Sequence, residues 1–115
     1  MKKALLGLGF AVAALLGTTG AAQASTPDTW TVEAWHDAVI RDCEHLACTP
    51  VGVIRAGETH VAYCWEYGQY VRDLGYSNNV WIMVSMMDGG RYLTPAIYLK
   101  GDIRANIPYE DDCVG

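Results

Sequence analysis

The sequence has no cysteine before Cys43, few basic residues and no internal repeats. A lipid-anchored export signal needs a cysteine directly after its hydrophobic segment, so lipid anchoring is not expected. Only 8 basic residues stand against 13 acidic ones. Such an acidic chain repels nucleic acid and anionic membrane surfaces through its summed field. The negative charge therefore favours cationic or uncharged partners.

The first segment has the three parts of a secretory signal. Lys2 and Lys3 are followed by an apolar run over residues 4–16 and by Ala22-Gln23-Ala24, the small-x-small pattern of a cleavage site. The apolar run is short for a membrane span, which needs about 20 residues, although a retained anchor is the competing interpretation. We predict a cleaved signal peptide over 1–24, a polar leader over 25–30 and one domain over 31–115. Without the two lysines of the signal, six basic residues face 13 acidic ones, a net charge of −7.

The four cysteines all follow the predicted cleavage site. An even number in a secreted chain indicates two disulfides, and four cysteines allow three pairings. Cys43 and Cys48 are separated by a turn-length segment, which favours Cys43–Cys48 and therefore Cys64–Cys113. His45 lies between the first two cysteines, so a metal site is the alternative. Zinc needs thiolates and usually four ligands, and no C-x-x-C element completes such a set. We predict no metal.

The rest of the sequence is mainly strand-like. Apolar and polar residues alternate over 60–66 and 80–87, and shorter runs lie at 31–35, 38–41, 51–55 and 91–94. Turn signals at 56–58 and 88–90 separate these runs, and we expect a loop over 67–79 and a 3₁₀ turn within 95–99. A helix over 31–40 is the competing interpretation there. The pattern predicts an all-β fold of about five short antiparallel strands, in a small barrel or sandwich.

The order of short motifs resembles that of bacterial SH3-like (SH3b) domains. The motifs are Val32-Glu33-Ala34, residues 38–43, Cys48, residues 51–58, residues 61–64, residues 80–84, Gly89-Gly90 and residues 96–99. Residues 64–69, residues 98–102 and Cys113 are similar to segments of small secreted bacterial proteins made of one such domain. The resemblance implies a small SH3-like barrel that binds peptides, and SH3b domains often accompany cell-wall hydrolases. The loop before Cys48 is shorter than is usual in the family.

Aromatic residues are the main candidates for a binding site. Amphipathic rings in or beside loops can line a groove, and SH3-type surfaces bind extended peptides in this way. The competing interpretation is that the rings cover a small core. The candidate ligand-binding residues are Tyr67, Tyr70, Tyr76, Trp81 and Tyr92. We also expect a negative rim that favours a peptide with amino groups, from Glu44, Glu58, Glu66, Asp73 and Asp88.

No pattern indicates an enzyme. The carboxylates of Glu110, Asp111 and Asp112 form one run, whereas a glycosidase needs two carboxyls on separate walls of a cleft. We therefore predict no catalytic residue and no cofactor. The expected function is a secreted, monomeric module that binds cell-wall peptide (peptidoglycan) without catalysis. The alternative is an exported inhibitor or effector that docks on an extracellular hydrolase or another protein.

Overall fold

One antiparallel sheet of six strands curls into a half-barrel. The computed structural model describes residues 28–114, so the predicted signal peptide and residues 25–27 of the leader lie outside the described residues. The strands are β1 (Trp30–Glu33), β2 (Ala38–Arg41), β3 (Pro50–Ile54), β4 (Thr59–Asp73), β5 (Tyr76–Ser85) and β6 (Arg91–Pro95), followed by a 3₁₀ turn, Ala96–Tyr98. Their order in the sheet is β1-β4-β5-β6-β2-β3. The predicted all-β class is confirmed, with six strands where about five were expected. The alternative of a helix over 31–40 is wrong, because β1 and β2 occupy this segment.

The predicted loop over 67–79 is instead the far half of a long hairpin. Strands β4 and β5 pair until Asp73 faces Tyr76, which leaves a two-residue turn of Leu74 and Gly75. Both turn residues have positive φ, +54° and +85°. Such turns match the twist of the strands, but glycine or asparagine usually occupies both positions. Because leucine is unusual at the first position, the sequence does not indicate this turn.

Two bulges interrupt β4 and change which residues face the core. Ala62 faces Val84 and Cys64 faces Met83, so β4 advances two residues where β5 advances one. A bulge of this kind switches the face of the residues that follow it. Ala62 and Trp65 are therefore both buried, and the strict alternation predicted over 60–66 is wrong.

The second bulge lies at residues 68–70 and contacts the loop of the first disulfide. Between the pairs Tyr67–Val80 and Val71–Asn78, β4 uses two more residues than β5. In the bulge, the Gln69 amide donates to the Glu44 carbonyl oxygen at 3.0 Å. A Cβ atom at Gly68 would lie 2.6 Å from Cβ of Glu44, so only glycine allows this close approach.

Within residues 28–114, two apolar clusters fill the interior. The larger one draws on every strand except β6 and on the segment after the 3₁₀ turn, and includes Ile40, Ile54, Ile82, Val84 and Ile107. The smaller one contains Val71, Trp81, Leu93 and Ile97. Strand β5 contributes to both clusters with alternate residues, because the curled sheet covers both of its faces. Burial on both faces accounts for the nearly continuous apolar sequence of this strand.

Both predicted disulfides are confirmed. Cys43 bonds to Cys48 and Cys64 bonds to Cys113, with Cα atoms 5.7 and 5.1 Å apart. The second disulfide holds the C-terminal tail along β4, where the amide of Cys113 donates to the Trp65 carbonyl oxygen at 2.8 Å. Two disulfides are consistent with an extracellular or otherwise oxidising environment. Within residues 28–114, the structure contains no helix with the length and apolar character of a membrane span.

Candidate functional site

Four aromatic rings follow one another across the surface. The ring centroids are 5.3 Å apart for Tyr76 and Trp35, 5.7 Å for Trp35 and His36, and 5.5 Å for His36 and Tyr98. We call these four residues the ring row. Each comes from the end of an element or from a connection: the β1–β2 link, the start of β5 and the end of the 3₁₀ turn. Trp35 is fixed in place because its Nε1 donates to the Ile97 carbonyl oxygen at 2.8 Å.

A groove of about 440 Å³ opens beside one end of the ring row. Trp35 and Tyr76 line it together with the buried residues of the 3₁₀ turn and with residues 100–103. Trp35, Tyr76 and Ile103 remain 38%, 58% and 58% exposed. Apolar surface that stays exposed around a concavity is typical of a binding site. The remaining lining residues are Ser77, Asn78, Ala96, Ile97, Leu99, Lys100, Gly101 and Asp102.

The wall formed by residues 100–103 is held by a compact turn. Asp102 Oδ1 accepts hydrogen bonds from the amides of Arg104 and Asn106, both at 2.9 Å, and Asn106 Oδ1 accepts from the amide of Asp102 at 3.0 Å. These backbone hydrogen bonds, first that of Asn106 and then that of Arg104, lower the pKa of Asp102. Lys100 Nζ lies 2.8 Å from Glu33 Oε2, which fastens the start of the wall to β1. The groove therefore has its shape before any ligand arrives.

Tyr98 connects the ring row to the β4–β5 hairpin. Its hydroxyl donates to Asp73 Oδ2 at 2.7 Å. Burial, followed by this hydrogen bond and the charge of Asp73, raises the pKa of Tyr98 to about 12. The hydroxyl therefore stays protonated at neutral pH, and its hydrogen bond holds the end of the hairpin beside the row.

The structure separates the five predicted ligand-binding residues. Tyr76 lines the groove, and Tyr70 is close to it through a hydrogen bond from its hydroxyl to Ser77 Oγ at 2.9 Å. Tyr67 packs edge-on against Trp65, with centroids 5.0 Å apart. Neither that ring pair nor Tyr92 lines the groove.

The positions of Trp81 and Tyr92 differ most from the predicted role in ligand binding. The Trp81 side chain is completely buried, and its Nε1 donates to the Gln69 carbonyl oxygen at 2.9 Å. A ring without exposed surface cannot contact a ligand, so Trp81 is a core residue. The Tyr92 hydroxyl donates to Asp88 Oδ2 at 2.8 Å, and this bond supports the β5–β6 turn.

Sequence reasoning missed most of the groove. Trp35 ends a run predicted only as a strand, 31–35, and Ile103 belongs to a turn with no predicted role. Gly101, Ala105 and Asn106 have positive φ there. The one available signal was the sequence Gly-Asp followed by asparagine four residues later, which is typical of a turn closed by side-chain hydrogen bonds.

The predicted negative rim does not surround the groove. Of the five carboxylates, Asp73 contacts the ring row, whereas Glu58 accepts from the amide of Arg55 in a turn at 2.9 Å. Burial, and then a hydrogen bond that the protonated Glu66 donates to Glu44 together with the charge of Glu44, raises the pKa of Glu66 to about 7. Glu44 and Glu66 therefore form a carboxyl pair beside the first disulfide.

The raised pKa of Glu66 predicts that stability falls as the pH rises. Between its ordinary pKa of 4.5 and about 7, the folded protein binds the proton and the unfolded chain releases it. The free energy of unfolding should therefore decrease across this window, by about 1–2 kcal/mol after allowance for solvent screening. Urea denaturation at pH 4.5 and 7.5 measures the change. Glu66→Gln should remove this decrease in the free energy of unfolding, and the exposed control Glu110→Gln should keep it. The same decrease in Glu66→Gln as in the native protein would contradict the assignment.

The alternative of a metal site at the first disulfide gains little from the structure. One ligand-type atom from each of Asp42, Cys43 and Cys48 lies within 4.8 Å of the others. The two sulfur atoms are bonded to each other, so they do not offer thiolates to a metal. Asp42 instead accepts a hydrogen bond from the amide of Thr49 at 3.1 Å.

Comparison of the chain with protein-family models, with curated proteins and with solved structures finds no match. The resemblance to SH3b domains therefore stays a prediction. What the structure establishes is the class: an all-β half-barrel with two disulfides and an aromatic groove at one end of its long hairpin.

Proposed function

We propose that this chain is a secreted, non-enzymatic binding module that holds an extended peptide in the groove beside Trp35 and Tyr76, and that its ligand is cell-wall peptide. The observation that carries the proposal is the groove itself. Its flat, half-exposed rings face a wall that is already fixed by internal hydrogen bonds. A site with this shape before binding loses little conformational entropy when a ligand binds.

The chemistry of the lining suits a peptide. Aromatic rings provide apolar surface for side chains and for the faces of peptide units. Ser77, Asn78 and Asp102 place a hydroxyl, an amide and a carboxylate at the groove, where backbone amides and amino groups find partners. The volume of about 440 Å³ accommodates a few residues of an extended chain.

The proposed secretion rests on two independent features. The first residues have the pattern of a cleaved signal, and the pairing of all four cysteines is consistent with an oxidising compartment. A binding site for cell-wall peptide would be useful only on that side of the membrane.

Co-sedimentation with purified peptidoglycan sacculi tests the proposal. We expect saturable pelleting of the oxidised protein, and Tyr76→Ala or Ile103→Ala should each weaken it about five- to tenfold, as the removal of a central apolar contact commonly does. Both side chains are more than half exposed, so the variants should fold. Tyr67→Ala removes an equally exposed tyrosine away from the groove and should pellet like the native protein. Equal losses in all three variants, or no pelleting of the native protein, would refute the proposal.

A second candidate is docking on another protein, as an inhibitor or effector. Strand β3 ends the sheet, and its Val51 and Val53 side chains are each 38% exposed. A terminal strand with exposed apolar side chains can pair with a strand of a partner. Protein docking is favoured if the native protein does not pellet with sacculi and stays in the supernatant.

A further inference from the structure

A second cavity, of about 210 Å³, lies at the other end of the ring row. His36 and Tyr98 of the row line it, with Leu46 and Arg41 among the remaining residues. The row therefore extends from the groove, which Trp35 and Tyr76 line, to this smaller cavity. An extended ligand that leaves the groove along the rings would reach it. The complete lining is His36, Asp37, Val39, Arg41, Leu46, Pro95 and Tyr98.

Arg41 brings a positive charge that has no acidic partner within residues 28–114. The two salt bridges of this region join Arg55 to Asp37 and Lys100 to Glu33. The guanidinium of Arg41 donates from Nη1 to the Cys48 carbonyl oxygen at 2.9 Å, and its Nε is buried without a hydrogen-bond partner. A guanidinium has five N–H donors, and within residues 28–114 that of Arg41 makes one hydrogen bond to protein, to the Cys48 carbonyl oxygen.

The one carboxylate in the cavity is already engaged. Asp37 Oδ1 accepts from the amide of Ala56 at 2.9 Å, and its Oδ2 lies 3.2 Å from Nη1 of Arg55. The hydrogen bond from Ala56 is the main cause of the lowered pKa of Asp37, with smaller contributions from Arg55. Because Arg55 balances Asp37, the charge of Arg41 is the one left for a ligand.

We propose that this cavity binds a carboxylate through Arg41, and that it receives the terminal carboxylate of the peptide that lies along the ring row. Arginine binds carboxylates through paired hydrogen bonds, which are stronger than bonds between neutral groups. A doubly charged phosphate fits less well, because Asp37 adjoins the cavity and the chain as a whole is acidic. The assignment to a peptide terminus rests on the proposed function, whereas the carboxylate site does not depend on it.

An NMR titration with three small probes tests the proposal on the full oxidised domain. The probes are N-acetyl-Ala-Ala with a free carboxylate, the same dipeptide as its amide, and N-acetyl-Glu-Ala amide. The Nε–H signal of Arg41 and the ring signals of His36 report on the cavity. We expect the free acid to shift both and to bind at least about tenfold more tightly than its amide, because the amide lacks the charge-assisted bonds. The glutamate probe should bind more weakly than the free acid.

Two variants should act in opposite directions. Arg41→Gln should abolish the preference for the acid, and Arg91→Gln, which removes a guanidinium stacked on Tyr63 outside the cavity, should leave it unchanged. Asp37→Asn should tighten binding of the acid about two- to fivefold, because it leaves the charge of Arg55 unbalanced beside the cavity and keeps the oxygen that accepts from Ala56. The Asp37→Asn result and the acid–amide comparison on the native protein remain decisive if Arg41→Gln does not fold.

The outcomes separate this inference from the proposed function. Equal binding of acid and amide would overturn the carboxylate site, even if sacculi bind the protein. Equal binding of the glutamate probe and the free acid would overturn the assignment to a terminus. If sacculi do not bind but the free acid shifts Arg41, the site stands and the cell-wall ligand is wrong.

Discussion

Replacing Cys64 and Cys113 with alanine is expected to lower the free energy of unfolding by about 4 kcal/mol. The bond closes a loop with a sequence separation of 49 residues, and in the chain-entropy model a loop of this length gives that value at 25 °C. A domain of this size is commonly stable by only about 4–13 kcal/mol. The double variant should therefore be marginally folded or unfolded at 37 °C.

Loss of the Cys64–Cys113 disulfide should also have a local structural effect. The tail that ends at Cys113 hydrogen-bonds to Trp65 through the backbone, and Trp30 Nε1 donates to Asp111 Oδ2 at 2.9 Å. Without the covalent bond, noncovalent contacts such as these must hold the tail over the first bulge of β4. We expect hydrogen exchange at the amide of Trp65 to become faster than at the amides of β6.

The other disulfide provides the matched control. The Cys43–Cys48 bond has a sequence separation of 5, for which the same model gives about 2 kcal/mol. Urea denaturation of both double alanine variants, followed by circular dichroism, measures the two losses. A larger loss from the short loop than from the long one would contradict the entropic explanation and point to contacts of the 43–48 loop itself.

Local signals in the sequence predicted the strands well where each turn has its usual residues. Strand β2 has the predicted bounds, 38–41, and the Asp88-Gly89-Gly90 turn joins β5 to β6 as expected. The short 3₁₀ turn lies within the predicted 95–99. At these places the pattern of apolar residues and the turn chemistry agree, and local agreement of this kind is what sequence reasoning can detect.

The main errors concern β4 and its hairpin with β5, where long-range packing overrides local preference. Its turn begins with Leu74 at positive φ, and its two bulges shift the register against β5. The second bulge is stabilised by contacts with Glu44, more than twenty residues earlier in the chain. No local pattern reveals such a partner. The sequence therefore predicts the end of the alternating strand at residue 66, whereas β4 continues to Asp73.

The candidate site was only partly predictable for the same reason. An aromatic groove is expected from the sequence, and Tyr76 is among the residues named for it. The groove, however, is assembled from Trp35, Tyr76 and Ile103, which come from three separate segments. Composition indicated which residue types would form the site, whereas the curl of the sheet decided which of them meet.

Trp81→Ala is expected to cost about 3–5 kcal/mol, the usual range when a large buried aromatic side chain is removed. The ring is completely buried against Val71, Leu93 and Ile97. Its Nε1 also donates to the Gln69 carbonyl oxygen at 2.9 Å, so the substitution leaves a carbonyl of the second bulge without this partner. Urea denaturation followed by circular dichroism measures the loss, and Tyr67→Ala, at an exposed position, should lose less than about 1 kcal/mol.

A second substitution at the same position separates packing from the hydrogen bond. Trp81→Phe keeps an aromatic ring in the core but has no donor for Gln69, so we expect a loss of about 1–3 kcal/mol. Because Gln69 binds Glu44 through its amide, the freed bulge should also loosen the 43–48 loop, whose Cys48 carbonyl oxygen accepts from Arg41. The amide of Leu46 donates to Gln69 Oε1 at 2.7 Å. Faster hydrogen exchange at the amides of Leu46 and Gln69 in Trp81→Phe would therefore show this coupling. Unchanged exchange there, together with the full stability loss, would mean that Trp81 acts through packing alone.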